Sequence, residues 1–251
     1  MVPVFEQTYF LTPAECNPEG RMPLTLLINR LIEVATLHAN DLGIGYETLV
    51  KTSETWVLSR VAVEMRLYPG VNDHYTIRTW VCSINRLFSE RDFEILLADG
   101  TVIGHARTVW AVINTTTRTA SDISRFEHIL LTVPADKHCP VDKPSRPVAV
   151  KDPTHIETYR FTYCDLDVNR HVNSSRYIEL LLNQWSLDFH DHNRLTRFEI
   201  AYMHEARYDD TVEVRLAETA TDSPNAVAAV RAEIANGDTP VCRSLLVFSP
   251  R

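Results

Sequence analysis

Apolar residues recur at the spacing of an amphipathic helix in two widely separated parts of the chain. The first part runs from Leu24 to Ala35, and the second runs from Tyr177 to Trp185. Side chains that return every three or four residues share one face of a helix, so each part predicts a helix with one buried face. The positions are Leu24, Leu27, Ile28, Leu31, Ile32 and Ala35 in the first, and Tyr177, Leu180, Leu181, Gln184 and Trp185 in the second.

Alternating apolar and polar positions, which are typical of strands, surround each predicted helix. A short extended segment precedes each helix, and longer segments of period two follow it. The alternation indicates strands because successive side chains on a strand point to opposite faces. The predicted strands are 8–12, 61–63, 75–79, 91–97 and 102–113 in the first half, and 158–162, 198–200, 212–216, 227–234 and 241–248 in the second.

The two halves therefore have the same order of elements, and we interpret them as an internal duplication. A shift of 137 residues places Asp73 on Asp210 and superposes the strands around them without a gap. A helix followed by an antiparallel run predicts an α+β repeat in which a sheet wraps around one long central helix. We place the N-terminal repeat at 1–133, a proline-rich linker at 134–153 and the C-terminal repeat at 154–251.

Composition argues against several classes of function. The formal net charge is −8, which is unlike that of a general nucleic-acid-binding protein. No apolar run approaches the roughly 20 residues of a membrane span, and no secretion signal is visible, so we expect a cytoplasmic protein. The cysteines form no C-x-x-C pair, and His190 and His192 have no evident third ligand. We therefore expect no disulfide framework, no metal and no cofactor.

One segment before the second predicted helix concentrates polar chemistry and reads C-D-L-D-V-N-R-H-V-N-S. If this segment is extended, Asp167, Asn169 and His171 point the same way. Asn173 or Ser174 is a natural cap for the helix that follows. The N–H groups of the first helical turn, together with the helix dipole, would then stabilise a developing oxyanion.

The duplication allows these polar residues to be compared with the other repeat. A shift of 149 residues in the loop, and of 137 in the strand, finds none of the same polar groups in the first repeat. Groups that only one repeat carries are not needed to build the fold, so we interpret them as functional. The alternative is that the loop is a polar, Asx-rich turn whose histidine is solvated, and that Glu205 is an exposed carboxylate on a strand. The aligned pairs are Asp167 with Pro18, Asn169 with Gly20, His171 with Met22, and Glu205 with Tyr68.

The same segment resembles the catalytic motif of the acyl-acyl carrier protein (ACP) thioesterases, a plant and bacterial family with a double hot-dog fold. That motif reads approximately D-L-D-x-N-x-H-V-N-N, and residues 165–174 here read D-L-D-V-N-R-H-V-N-S. A second family element, similar to E-Y-R-R-E-C-x-x-D-D, matches 199–210 with one additional residue between the two glutamates. Segments 73–80, 89–93 and 104–110 resemble the family in the first half.

The resemblance implies a tandem double hot-dog hydrolase that ends fatty acid synthesis by cleaving a fatty acyl-ACP thioester. Many members carry a cysteine directly after the catalytic glutamate, where this chain has Ala206, so we expect water to be the attacking group. Either Asp167 or Glu205 could be the general base. The implied catalytic residues are Asp167, Asn169, His171 and Glu205.

We expect the acyl chain to lie in the N-terminal repeat, along the helix face that carries Leu27, Leu31 and Ala35.

The partner, an acidic ACP, requires a local basic patch on this acidic enzyme, and Arg170 and Arg176 are the candidates. An acyl-coenzyme A thioesterase and a non-enzymatic acyl-binding double hot-dog protein are the alternatives. A dehydratase would need an H-x-x-x-G-x-x-x-x-P segment, which the sequence lacks. The sequence does not determine the preferred acyl chain length, the preferred saturation, or whether the protein forms a homodimer.

Overall fold

The computed structural model describes residues 3–134, 136–144, 148–221, 223 and 225–251. The chain divides into two units, which are Met1–Pro144 (unit 1) and Ser145–Arg251 (unit 2). Within the predicted linker, 134–153, residues 135 and 145–147 lie outside the described residues. The limits of that linker and of the repeats on either side of it stay predictions.

Unit 1 is built from a long helix and an antiparallel sheet with the strand order β1-β3-β4-β5-β2. Helix α1 packs against β1 and β3, and it buries the face that the apolar spacing predicts, except that Ile32 stays partly exposed. The elements are β1 Phe5–Phe10, α1 Leu24–Asp41, α2 Tyr46–Leu49, β2 Glu54–Met65, β3 His74–Ile84, β4 Ser89–Leu97 and β5 Val102–Asn114, with 3₁₀ turns at Pro13–Glu15, Val50–Thr52 and Ser124–Thr132.

Unit 2 repeats this plan with the strand order β6-β8-β9-β10-β7. Its helix buries Tyr177, Ile178 and Leu181. The elements are β6 His155–Arg160, α3 Ser174–Leu182, α4 Leu187–His192, β7 Asn193–Tyr202, β8 Thr211–Glu218, β9 Ala228–Asn236 and β10 Thr239–Pro250, with a 3₁₀ turn at Tyr163–Asp165.

The two units match strand for strand, so the prediction of two antiparallel α+β repeats is confirmed. Strand β1 pairs with β3 so that Tyr9 faces Tyr75, and β6 pairs with β8 so that Tyr159 faces Val212. The starts of β3 and β8 are separated by the same 137 residues that superpose the two halves of the sequence. Each predicted strand overlaps an observed strand.

The helix of unit 2 is shorter than the apolar pattern predicts, because α3 ends at Leu182. The placement of Gln184 and Trp185 on that helix is therefore wrong. The Trp185 ring packs against Phe248, with the ring centroids 4.8 Å apart, and the chain turns to allow this contact. Ser186 then caps α4 by accepting a hydrogen bond of 3.2 Å from the Phe189 N–H.

No helix in the described part of the chain is long and apolar enough to cross a membrane.

Candidate active site

The loop before α3 is a tight turn that is closed by the side chain of Asp167. Its carboxylate Oδ1 accepts hydrogen bonds from the backbone N–H of Asn169 at 2.8 Å and of His171 at 3.1 Å. The Asp167 N–H donates to the His171 carbonyl at 2.8 Å, and the Arg170 N–H donates to the Asp167 carbonyl at 3.0 Å. The loop is therefore not extended, because an aspartate can satisfy the N–H groups that follow it, and the condition under which the three side chains would point the same way is not met. Asn169 is exposed on this turn.

The turn orients Arg170 through an unusual backbone conformation. Arg170 is exposed and has a φ of 62°, which lies in the left-handed region. That conformation is uncommon for a residue other than glycine. It allows the chain to reverse between Asp167 and His171 while the arginine lies on the surface.

The imidazole of His171 contacts the carboxylate of Glu205. The distance between His171 Nε2 and Glu205 Oε2 is 3.2 Å, and the two side chains are 24% and 37% exposed. Backbone contacts hold the two segments together, because the Val172 N–H donates to the Ala206 carbonyl at 2.8 Å and His171 bridges to Arg207. A histidine and a carboxylate at this distance, open to solvent on one side, can take a proton from one reacting group and deliver it to another.

Tyr177 on α3 supports the segment that carries Glu205. Its hydroxyl oxygen accepts a hydrogen bond of 3.3 Å from the Ala206 N–H, directly after Glu205. Burial raises the pKa of Tyr177 well above its usual range, so the hydroxyl stays neutral. The apolar pattern identified Tyr177 as a core residue, and that pattern contains no signal for its contact with the site.

Asn173 is the N-cap of α3, in agreement with the sequence. Its Oδ1 accepts from the Ser175 N–H at 3.1 Å, and its carbonyl accepts from the Arg176 N–H at 2.9 Å. The Ser175 hydroxyl also donates to Oδ1, at 2.9 Å. Two N–H groups of the first turn are therefore already used, so the proposed oxyanion donors at this helix cannot include them without breaking the cap.

Unit 1 contains the same turn, and its residues correct the alignment of the two repeats. The Asn17 Oδ1 accepts from the Arg21 N–H at 2.8 Å, and the Asn17 N–H donates to the Arg21 carbonyl at 2.8 Å. Gly20 has a φ of 67°, in the same left-handed region as Arg170 in unit 2. The loop shift of 149 residues is therefore wrong by one residue. The structural pairs are Asp167 with Asn17, Asn169 with Glu19, Arg170 with Gly20, His171 with Arg21, and Glu205 with Tyr68.

This correction changes the comparison between the repeats. The loop positions are polar in both units, so polarity alone does not separate a functional loop from a structural one. What unit 2 adds is a negative charge where unit 1 has Asn17, an imidazole where it has Arg21, and a carboxylate where it has Tyr68. Since Asn17 closes its turn with a neutral oxygen, the turn requires an acceptor but no charge.

A cavity of about 260 Å³ lies in unit 1 between α1 and the sheet. Its wall includes Ala35 from α1 and the rings of Tyr46, Trp56 and Trp110. Of the three predicted acyl-binding residues, only Ala35 lines it. Leu27 and Leu31 are fully buried in the core and do not line this wall, so this cavity does not support their predicted contact with the acyl chain, which stays untested. The apolar spacing cannot separate a core position from a cavity position on the same helix face.

The two arginines considered for carrier docking lie in different surroundings. Arg170 is exposed on the turn, whereas Arg176 forms an ion pair with Glu179 on the next turn of α3. The Glu179 carboxylate offsets part of the charge of Arg176.

The other histidines near α4 make local contacts. His190 Nε2 lies 3.1 Å from the Leu182 carbonyl, and His192 Nδ1 lies 2.8 Å from the Asp188 carbonyl. No group of three or more His, Cys, Asp or Glu side chains within the described residues is placed to hold a metal ion.

Comparison with known proteins gives two family matches. The model of the acyl-ACP thioesterase N-terminal domain matches residues 3–126, and that of the C-terminal domain matches residues 149–240. The chain is also similar to the crystal structure of an acyl-ACP thioesterase from Bacteroides thetaiotaomicron, with 33% identity, a TM-score of 0.84 and 98% coverage of each chain. The 12:0-ACP thioesterase structure from Umbellularia californica, at 19% identity and a TM-score of 0.83, shows the same fold.

Curated plant proteins are more distant relatives. The oleoyl-ACP thioesterase 2 of Arabidopsis thaliana is 26% identical over 89% of this chain, and the dodecanoyl-ACP hydrolase of Cinnamomum camphora is 26% identical over 84%. This chain spans 64% and 58% of their respective lengths. Their names describe them as chloroplastic, and the cytoplasmic location expected for this chain stays a prediction.

Proposed function

The chain belongs to the acyl-ACP thioesterase family, and we propose from this that it hydrolyses fatty acyl-ACP thioesters to a free fatty acid and the carrier-protein thiol. The structural observation that carries the proposal is the contact of 3.2 Å between His171 and Glu205. This contact joins a carboxylate that can accept a proton to an imidazole that can deliver one, which supports the proposal. Hydrolysis of a thioester needs both, and it needs no cofactor.

In the proposed mechanism Glu205 is the general base. It takes a proton from a water molecule while the water oxygen bonds to the thioester carbonyl carbon. Glu205 passes this proton to His171 across their contact of 3.2 Å. The tetrahedral intermediate then collapses, the carbon–sulfur bond breaks, and His171 delivers the same proton to the leaving thiolate. Asp167 and Asn169 position the water and the carbonyl oxygen. Ala206 follows Glu205, so the residue directly after the proposed base carries no thiol.

A direct assay tests this function. Purified protein is incubated with fatty acyl-ACP, with the matching acyl-coenzyme A and with a short acyl-pantetheine thioester, and release of the thiol is followed. We expect the highest kcat/KM with acyl-ACP. Equal or faster hydrolysis of the coenzyme A thioester would favour an acyl-coenzyme A thioesterase, and binding without thiol release would favour an acyl-binding protein.

We propose that the acyl chain occupies the cavity of unit 1, because this cavity is largely apolar and Ala35 lies in its wall. Ala35→Phe should fill part of it and shift the preference to shorter chains. We expect the kcat/KM ratio of a short to a long acyl chain to rise by at least about tenfold, which is the lower end of the discrimination that one methylene in an apolar pocket produces. The measurement is the relative rate across a series of acyl lengths.

Leu31→Phe is the matched control for Ala35→Phe, because Leu31 is equally buried but does not line the cavity. Overpacking there should lower thermal stability, by about 1–3 kcal/mol, without changing chain preference. An unchanged preference in Ala35→Phe would place the acyl chain elsewhere.

We propose Arg170 as the principal contact with the acidic carrier protein, and Arg176 as a weaker one because of its pairing with Glu179. Arg170→Glu should raise KM for acyl-ACP by about tenfold and reduce the salt dependence of the rate. The rate with an acyl-pantetheine thioester should hardly change, since that substrate has no carrier surface.

Arg231→Glu provides the same change of charge on another exposed arginine of unit 2, on β9, and should leave KM unchanged. If Arg170→Glu slows both substrates equally, Arg170 supports the site or the turn and does not dock the carrier.

A further inference from the structure

A buried guanidinium, that of Arg91 on β4, lies in the wall of the unit 1 cavity. Arg91 is only 5% exposed. Its Nη1 donates to His38 Nδ1 at 2.6 Å and to Thr79 Oγ1 at 3.3 Å. Among the residues that the structure describes, no carboxylate forms an ion pair with Arg91. A buried charge without a counter-ion is costly, so its presence in a cavity wall calls for a function.

The contact with His38 does not neutralise this charge. A guanidinium can only donate hydrogen bonds, so the His38 Nδ1 must be the acceptor and cannot carry a proton. The imidazole is therefore neutral. Burial lowers the pKa of Arg91 to about 10, which still leaves the guanidinium protonated at neutral pH. The pair thus holds a positive charge and its unused N–H groups in place beside the cavity.

Ser89 adds a second polar group to the same part of the wall. It lies two residues before Arg91 on β4, on the same face of the strand, and it also lines the cavity. Its hydroxyl makes no hydrogen bond to any other residue within the described ranges. Other polar lining residues are internally satisfied, since Thr36 donates to the Ile32 carbonyl at 2.8 Å and Trp110 donates to Thr108 at 2.8 Å.

We propose that the preferred acyl chain carries a neutral oxygen, as a hydroxyl or an oxo group, away from the thioester, and that Arg91 and Ser89 bind this oxygen. The inference rests on the proposed function, which places the acyl chain in this cavity. A hydrogen bond from a guanidinium to such an oxygen is charge-assisted and stronger than a neutral one. An unsubstituted chain would leave the same donors unpaired when it displaces water. A neutral oxygen fits better than a carboxylate, because the rest of the wall is rich in apolar side chains, where a second buried charge is costly.

Equilibrium binding of free fatty acids to the full-length protein tests this inference. Calorimetry would compare unsubstituted acids with hydroxy and oxo acids of the same length, with the oxygen moved along the chain carbon by carbon. We expect at least one oxygen position to bind ten times more tightly than the unsubstituted acid. Arg91→Met should abolish this preference, Ser89→Ala should reduce it about threefold, and Thr36→Val, the matched control, should retain it.

Two results would overturn the inference: no oxygen position that binds more tightly than the unsubstituted acid, or a preference that survives in Arg91→Met. If Arg91→Met does not fold, Ser89→Ala replaces it in the test. An unchanged preference for the oxygen in Ser89→Ala would then overturn the inference. Binding of a free acid needs no turnover, so the two proposals can fail separately. An inactive protein with the preference would refute the hydrolase, whereas an active protein without it would refute only the oxygen site.

Discussion

Glu205→Gln and His171→Gln should each lower kcat for acyl-ACP by at least 100-fold. Both substitutions keep a polar side chain of similar size that can form hydrogen bonds, but glutamine cannot exchange a proton with the substrate. A 100-fold loss corresponds to about 2.7 kcal/mol of transition-state stabilisation, which is within the range for general acid–base groups. Because the two side chains contact each other at 3.2 Å, the double variant should be little worse than either single one. Single-turnover rates with acyl-ACP would measure these losses.

His204→Gln is the matched control for the pair. His204 precedes Glu205, but its Nδ1 lies 2.7 Å from the Pro240 carbonyl and its ring is used there. We expect this variant to stay active. Melting temperatures should remain close to that of the parent protein in all three variants, since the altered groups are partly or fully exposed. Full activity in Glu205→Gln or His171→Gln would contradict the assignment of the pair.

Asp167→Asn should keep the fold and still lower kcat by tenfold or more. Unit 1 shows that an asparagine closes this turn, because the Asn17 Oδ1 accepts from the Arg21 N–H at 2.8 Å, as the Asp167 Oδ1 does from His171 at 3.1 Å. The substitution therefore removes the negative charge while the turn is retained. Parallel measurements of kcat and of thermal unfolding would separate the two roles of Asp167.

The reciprocal substitution, Asn17→Asp, is the matched control in unit 1 and should leave kcat unchanged. Asp167→Ala should lose both functions, with reduced activity and a stability loss of about 1 kcal/mol from the missing turn contacts. If Asp167→Asn retains full activity, the carboxylate serves the turn alone and does not take part in catalysis.

Most of the fold could be predicted from the sequence, because its elements repeat and their patterns are strong. Strand β8 alternates apolar Val212, Val214 and Leu216 with polar neighbours, and 137 residues earlier β3 has Tyr75 and Ile77 at the first two of these positions. The break after Leu182 could not be predicted, because neither proline nor glycine marks it. It depends on the contact between Trp185 and Phe248, which are far apart in the sequence.

The site was less predictable than the fold. The residue types of the polar loop indicated chemistry, but the shape of the loop depends on whether the Asp167 side chain bonds to its own backbone, and both shapes suit the same sequence. The cavity is a tertiary feature whose wall joins residues from distant elements, so Ala35 and Leu31 look alike in the apolar pattern. Arg91 belongs to a family-like segment, yet nothing in the sequence shows that it lacks an acidic partner.

At Arg170 the stability of the turn and the proposed binding of the carrier protein favour different residues. The equivalent Gly20 reaches the left-handed conformation without a steric penalty, whereas Arg170, at a φ of 62°, bears a cost of about 1 kcal/mol. A protein engineer who seeks heat resistance would therefore choose Arg170→Gly, copying one half of the molecule into the other. By the docking proposal, the same change would weaken recognition of the carrier. The repeat that has the docking role in this proposal is thus the one with the strained backbone, and the other repeat has a glycine at the equivalent position.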